Sequence, residues 1–155
     1  MLKRFKINHK GLYKQVKYLK SSLKGKIIVE GTARGMILST TQPINFLSSV
    51  DHMTGRITDK NHELCGRFLK DSILIFPYSV GSSVGAYSIF ELKSNGVSPS
   101  GIICTLKTDI TTASGCAIAN IPLLELCKDQ VIPEIENSSE GLLDAISGFL
   151  QIKKV

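Results

Sequence analysis

No stretch of the 155 residues approaches the roughly 18 consecutive apolar residues that a membrane span needs. The N-terminus also lacks the apolar run and small-residue cleavage site of a secretory signal, so the expectation is a soluble, cytoplasmic protein with no membrane partner. The four cysteines, Cys65, Cys104, Cys116 and Cys127, form no CxxC pair and have no histidine at metal-finger spacing. They are expected to be reduced, buried and core-forming, with a cluster-ligand role left as the lesser alternative. Three histidines, His9, His52 and His62, are too few and too scattered to imply a metal site by spacing. No lysine follows a glycine-rich loop as in a phosphate-binding Walker motif, no GxSxG hydrolase elbow is present, and neither repeats nor low-complexity segments occur.

What is present fits one compact domain: 43% hydrophobic and 21% charged residues in a chain of common single-core size. The net charge of +6 is unevenly spread, because residues 1 to 26 carry nine of the nineteen Lys and Arg residues and no acid. The remainder carries ten bases against thirteen acids, about −3 by difference. That asymmetry describes a basic arm (residues 1 to 25) on a mildly acidic domain (residues 26 to 155). It disfavours nucleic acid as the partner, as does the lack of aromatic interleaving.

Leu12, Val16, Leu19 and Leu23 recur at helical spacing with lysines between them, so residues 9 to 24 are expected to form an amphipathic helix stopped at Gly25. Residues 27 to 30 and 36 to 39 look like the strands of a hairpin around the turn at 31 to 35. Residues 41 to 66 have little period and many turn formers, and so long a loop in a small domain belongs near a site. The apolar run SILIF (72 to 76) ending at Pro77 suits a buried strand, residues 82 to 94 a helix apolar all round, and residues 101 to 106 another strand. Together they predict a strand–helix–strand crossover. Residues 110 to 120 have no clear period, 121 to 126 form a short apolar patch, and the tail GLLDAISGFLQIKKV is compatible with helix or hairpin.

The chemically sharpest segment is PYSVGSSVG, residues 77 to 85, where a buried strand ends, a glycine bends the chain and two serines open a helix. Unpaired N–H groups and the dipole at a helix start favour negative charge, whether on a substrate or on a serine alkoxide. On the residues alone, the simpler reading is that Ser82 or Ser83 is an N-cap.

The chain resembles the small subunits of aconitase X enzymes over roughly residues 27 to 152. The resemblance is carried in order by EGTARGMILST, PINFLSSVDHMTGRITDKNHELCGRFLKDSILIFP, VGSSVGAYSIFELKSNGVSPSGIIC and AIANIPLL. It implies an α/β (β/β/α) swivelling domain with a barrel-like sheet flanked by helices, here carrying the N-terminal amphipathic helix as an extension. It also implies a larger aconitase-X-type catalytic subunit as partner, holding an iron-sulfur cluster, with no cofactor bound by this chain. The implied reaction is loss of water from a small anionic substrate, 5-phosphomevalonate or cis-3-hydroxyproline.

Carried over by motif, Ser82 is the proton acceptor; Gly81 supplies the bend, Ser83 and the N–H groups of Ser83 and Val84 an anion hole, and Asp51 and His62 the loop wall. An unassisted serine hydroxyl is far too weak a base near neutrality, so the role requires such help. Two departures are visible: Ser48 and Ser49 stand where the family usually has glycines, and Tyr78, Ser79 and Val80 where it often has an arginine. The resemblance also favours a hairpin for the tail. From a different class, the chain could be a stand-alone swivelling domain binding an anionic metabolite or a protein without chemistry. Nucleic-acid binding through the basic arm is a third, weaker reading.

Overall fold

The structure is a computed structural model that describes residues 20–128, 130, 137 and 139–153, with the backbone of residues 6–7 and 13–14. Seven strands close into a barrel: β3 (Lys20–Val29), β4 (Thr32–Ser39), β5 (Ser72–Phe76), β6 (Gly101–Cys104), β7 (Leu123–Leu126), β8 (Glu140–Asp144) and β9 (Phe149–Lys153). Their order around the barrel is β3-β7-β6-β5-β4-β8-β9. Two helices, α1 (Gly85–Ser94) and α2 (Ile110–Ala119), flank it, and a small antiparallel pair, β1 (Lys6–Ile7) and β2 (Tyr13–Lys14), precedes it.

Strands β4, β5, β6 and β7 are parallel neighbours, whereas every pairing of β3, β8 and β9 is antiparallel. The central parallel strands β5 and β6 read as apolar runs because both faces are covered. Along β5, Ile73 and Ile75 enter one cluster with Ile37, Ile103, Leu124, Leu143 and Leu150, which fills the barrel. Leu74 and Phe76 point the other way, into a second cluster with Ile89 and Leu92 of α1 and Cys116 and Ala119 of α2. The alternation is the two-residue period of a strand, and each such side chain removed from water contributes about 1.5–3 kcal/mol.

The crossover expected over residues 72 to 106 is present as β5, α1 and parallel β6, with Asn95 as C-cap and Gly96 at φ +69° ending the helix. The tail is the expected hairpin, β8 pairing β9 from Glu140↔Lys153 to Asp144↔Phe149. The loop of residues 41 to 66 is ordered. It sends Ile44, Phe46, Val50, Ile57 and Leu64 into the outer cluster, with Phe46 edge-on to Phe76 at 5.7 Å between ring centroids.

Four expectations are corrected. Residues 20 to 24 are strand, not the end of a helix: Leu23 is buried between exposed Ser22 and Lys24, and β3 runs on through Gly25 alongside β9 and β7. Tyr13 and Lys14 are strand as well, while residues 8–12 and 15–19 of the expected helix, and most of the basic arm, lie outside the described residues. The strands flanking Gly31 exist but do not pair as a hairpin; β3 joins β7 and β9, and β4 joins β5 and β8. All four cysteines are free, yet only Cys104 and Cys116 are buried, while Cys65 and Cys127 are exposed. Finally, α1 is covered on one side only, leaving Tyr87 70% and Phe90 45% exposed.

Helix α2 carried no readable period because its inward stripe is made of small residues: Thr111, Thr112, Gly115, Cys116 and Ala119. Their size lets the two helices approach closely. A Cβ on Gly115 would stand 2.7 Å from Ile89 Cδ1 and 3.2 Å from Ala86 Cα.

Candidate active site

The loops that leave the C-terminal ends of β4, β5 and β6 gather at one rim of the barrel, the end where parallel sheets bear their sites. The loop after β5 carries the serines. It begins at buried Pro77 and Ser79, then Gly81, Ser82, Ser83 and Val84 emerge exposed before α1 starts. Gly81 takes φ +95°, a left-handed conformation that side chains resist. A Cβ there would also stand 2.4 Å from Asn45 Nδ2. Two separate constraints therefore demand glycine at this bend.

Beyond it the chain coils at once into helix. Gly85 N–H donates to Ser82 O at 2.9 Å and Ala86 N–H to Ser83 O at 3.1 Å, while Val84 N–H donates to Ser82 Oγ at 3.3 Å. The Ser82 oxygen thus lies at the positive end of α1, exposed, with one backbone donor directed at it. Among the described residues the N–H groups of Ser82 and Ser83 meet no acceptor. The N-cap reading is met only in the weak sense of this one turn: the helix proper is preceded by Val84, which makes no side-chain cap.

The neighbouring loop fixes the turn from one side. Ile44 N–H donates to Tyr78 O at 3.3 Å and Val80 N–H to Ile44 O at 3.0 Å, a parallel bridge across Ser79. Asn45 Oδ1 accepts from Leu47 and Ser48 N–H, both at 3.1 Å, which holds its amide against Gly81. Ser48 and Ser49 sit in this turn without left-handed backbone, since Asp71 and Asn120 are the non-glycine positive-φ residues among those described. Glycine is therefore not required at 48 or 49.

From below, Asp109 receives four donors. Ser79 N–H donates to Oδ2 at 2.8 Å and Ser79 O–H to Oδ1; Thr112 N–H and O–H donate at 2.9 and 2.8 Å, making Asp109 the N-cap of α2. Burial opposes its charge, but these four bonds outweigh it, and the carboxyl is held below its ordinary pKa. Sequence reading passed over Asp109, Asn45 and Ser79. The spacing of Asp109 and Thr112, an N-cap followed by its N3 residue, was the one available signal.

Asp51 and His62 make no hydrogen bond to Ser82. Asp51 Oδ1 accepts from Met53 and Thr54 N–H at 2.8 and 3.1 Å, so it closes its own turn, and these bonds lower its pKa. That turn is tied to the far half of α1, through His52 Nδ1 to Glu91 at 2.9 Å and Asn95 Nδ2 to His52 O at 2.8 Å. The helix spans about 15 Å between its ends. His62 is buried in the turn beyond Thr40, where Nδ1 accepts from Leu64 N–H at 3.1 Å, and Nε2 has no partner among the described residues. Adjacent Glu63 clamps that turn to Thr40 Oγ1 and Thr41 N–H.

Among the described residues no group of three or more His, Cys, Asp or Glu is placed to hold a metal ion. Cys104 lies in the outer core, its thiol pushed up to about 12 by burial, with Cys116 likewise raised. The donors present therefore do not fit an iron-sulfur cluster. No helix among the described residues is long and apolar enough to cross a membrane.

Comparison with known proteins gives a consistent result. The family model described as the aconitase X swivel domain matches residues 22–152. The phosphomevalonate dehydratase small subunit of Methanosarcina acetivorans is 36% identical over 132 residues, covering 85% of this chain and 91% of that protein. The protein of the same name from Methanothermobacter thermautotrophicus is 37% identical over 126 residues, covering 81% and 95%. Among solved structures, Thermococcus kodakaraensis aconitase X in its holo-form superposes with a TM-score of 0.79 at 33% identity, over 86% of this chain and 99% of that one. A UPF0107 protein solved by solution NMR gives 0.78 at 31% identity, over 86% and 100%.

Proposed function

The chain belongs to the aconitase X swivel-domain family, and from that premise we propose that it is the small subunit of a cytoplasmic phosphomevalonate dehydratase, with Ser82 as the proton acceptor. The observation that carries the reading is the exposed Ser82 hydroxyl, set on a glycine bend at the start of α1, in a chain whose relatives bear that enzyme's name over nearly their full length.

The reaction removes water from 5-phosphomevalonate to give its trans-anhydro product. Ser82, as alkoxide, takes the hydrogen α to the carboxylate and becomes a hydroxyl again; the electron pair of the broken C–H bond becomes the new C=C bond, and the hydroxyl on the next carbon departs as water, gaining through solvent the proton that Ser82 shed on ionising. Val84 N–H and the dipole of α1 stabilise the alkoxide before the transfer. The free N–H groups of Ser82 and Ser83 can receive a substrate oxygen. This chain supplies the base; an iron-sulfur cluster, expected in the large subunit, would supply Lewis-acid help to the departing hydroxyl there.

The partner's place is supported by apolar exposure at the rim that bears Ser82. Leu47, Tyr78, Val80, Val84, Leu106 and Ile110 are 38–78% exposed on the loops after β4, β5 and β6. A docked large subunit would cover them and close the water-exposed serine into a shared site.

Ser82→Ala tests the reading in the reconstituted two-subunit enzyme. Turnover of 5-phosphomevalonate should fall by at least about a thousandfold while the subunits still copurify. Full turnover by the variant, or preferential dehydration of cis-3-hydroxyproline by the wild-type pair, would sink it.

A further inference from the structure

The Ser82 turn is held at both ends by the first turn of α2. At its start, Asp109 accepts Ser79 N–H and O–H; at its finish, Gly85 lies against Thr111, whose Cγ2 would be 3.0 Å from a Cβ at that position. Asp109 is thirty residues from Ser79 in sequence and makes no hydrogen bond to the Ser82 oxygen. All four of its partners are donors: two from Ser79, two from Thr112. Whichever way an amide of the same size is turned, its NH2 would face one backbone N–H, that of Ser79 or of Thr112, donor against donor, while the hydroxyl beside it could rotate to accept. The site specifically needs a carboxylate.

We propose that Asp109 is a positioning residue for Ser82, fixing through Ser79 the point from which the catalytic turn springs. The inference rests on the reading of Ser82 as the base. Proton abstraction requires the serine oxygen near 3 Å from the substrate hydrogen's carbon, and about 1 Å of displacement costs on the order of a hundredfold in rate. The Gly81 bend has few other anchors: the Ile44 bridge and the Asn45 amide lie on its opposite side. Freed from Asp109, Ser79 could swing with Val80 and carry Ser82 with it.

The test uses the reconstituted pair and 5-phosphomevalonate. Asp109→Asn should lower kcat about ten- to a hundredfold with KM changed less than about threefold, since the substrate's other contacts persist. Ser79→Ala removes one bond and leaves the α2 cap intact; it should lower kcat about three- to tenfold, and it decides the matter if the Asn variant does not fold. Thr112→Val weakens the cap from the α2 side while keeping both Ser79 bonds. It should lower the melting temperature without changing kcat beyond about twofold. An unchanged kcat in Ser79→Ala, or a loss in Thr112→Val as large as in Ser79→Ala, overturns the positioning role and leaves the Ser82 reading standing. Full turnover by Ser82→Ala overturns both.

Discussion

The two halves of the barrel solve different problems with the same strand geometry. In the parallel half, at β5 and β6, both faces are apolar and covered: Ile73 and Ile75 face inward, Leu74 and Phe76 outward onto the helices and the long loop. In the antiparallel half only one face is. Leu143, Leu150 and Ile152 fill the barrel, while Leu142 and Phe149 on the other face remain 37% and 39% exposed. The lesson concerns where precision can be built. A reactive turn needs neighbours on several sides, and the covered half alone brings a loop, two helices and a half-buried carboxylate to one rim. The bare half closes the barrel and holds its shape.

The largest expected difference between the halves is in packing. Phe76→Ala removes a fully buried ring from the outer core and leaves Phe46 without its edge-on partner, so it should cost about 3–5 kcal/mol. Phe149→Ala, the same truncation in the bare half, strips a ring that opposes Asp144 and Lys24 with much of its surface in water, and should cost less than about 1 kcal/mol. Urea unfolding of the isolated chain measures both. Equal losses would mean that the antiparallel half is covered in solution by something outside the described residues.

A subtler contrast uses two glycines with left-handed backbone. Gly81 has φ +95° and Gly148 φ +82°, and a Cβ would collide with the Asn45 amide in one case and with Gly25 O, at 2.9 Å, in the other. Alanine at either position should cost about 1–3 kcal/mol of stability. Turnover should separate them: Gly81→Ala displaces Ser82 and loses at least about tenfold in kcat, whereas Gly148→Ala, in the β8–β9 turn, stays within about twofold. If the two variants lose turnover equally, activity tracks global stability and the rim has no special geometry.

The legibility of the sequence divides along the same line. Continuous apolar runs such as SILIF and the Pro77, Asn95 and Gly96 stops make β5, α1 and β6 readable, because burial on both faces and helix termination leave local marks. Partners in a closed barrel leave none. Gly31 announces a turn, but nothing local says that β3 and β4 diverge to different neighbours, or that residues 20 to 24 extend a strand in which Lys24 merely faces water. Helix α2 hid behind small side chains, since its inward stripe of Thr, Gly, Cys and Ala barely registers as apolar. For the site, Gly81 and Ser82 stand out as a motif, whereas Asp109 and Asn45 act through long-range contacts. Asp51 was legible as a motif residue, yet its carboxylate is occupied by its own turn.

The smallest expected effect compares two carboxylates, one from each half. Asp109 and Asp144 both have lowered pKa values, Asp109 because hydrogen bonds from Ser79 and Thr112 overcome its burial, Asp144 because it accepts from Ser147 and Ile146 N–H in an exposed turn. A lowered native pKa means that the unfolded chain binds protons first. The stabilisation is therefore complete above the ordinary aspartate pKa near 3.9 and is lost as pH falls through the native value. Urea midpoints measured from about pH 6 down to pH 2 should accordingly fall on acidification, and the fall should be shallower in Asp109→Asn than in Asp144→Asn. Solvent and salt already screen the exposed turn, so little of the acid dependence resides there. A shallower acid limb in Asp144→Asn than in Asp109→Asn would place the sensitive charge in the bare half, and with it the claim that Asp109 is the well-anchored carboxylate beneath the serine turn would fall.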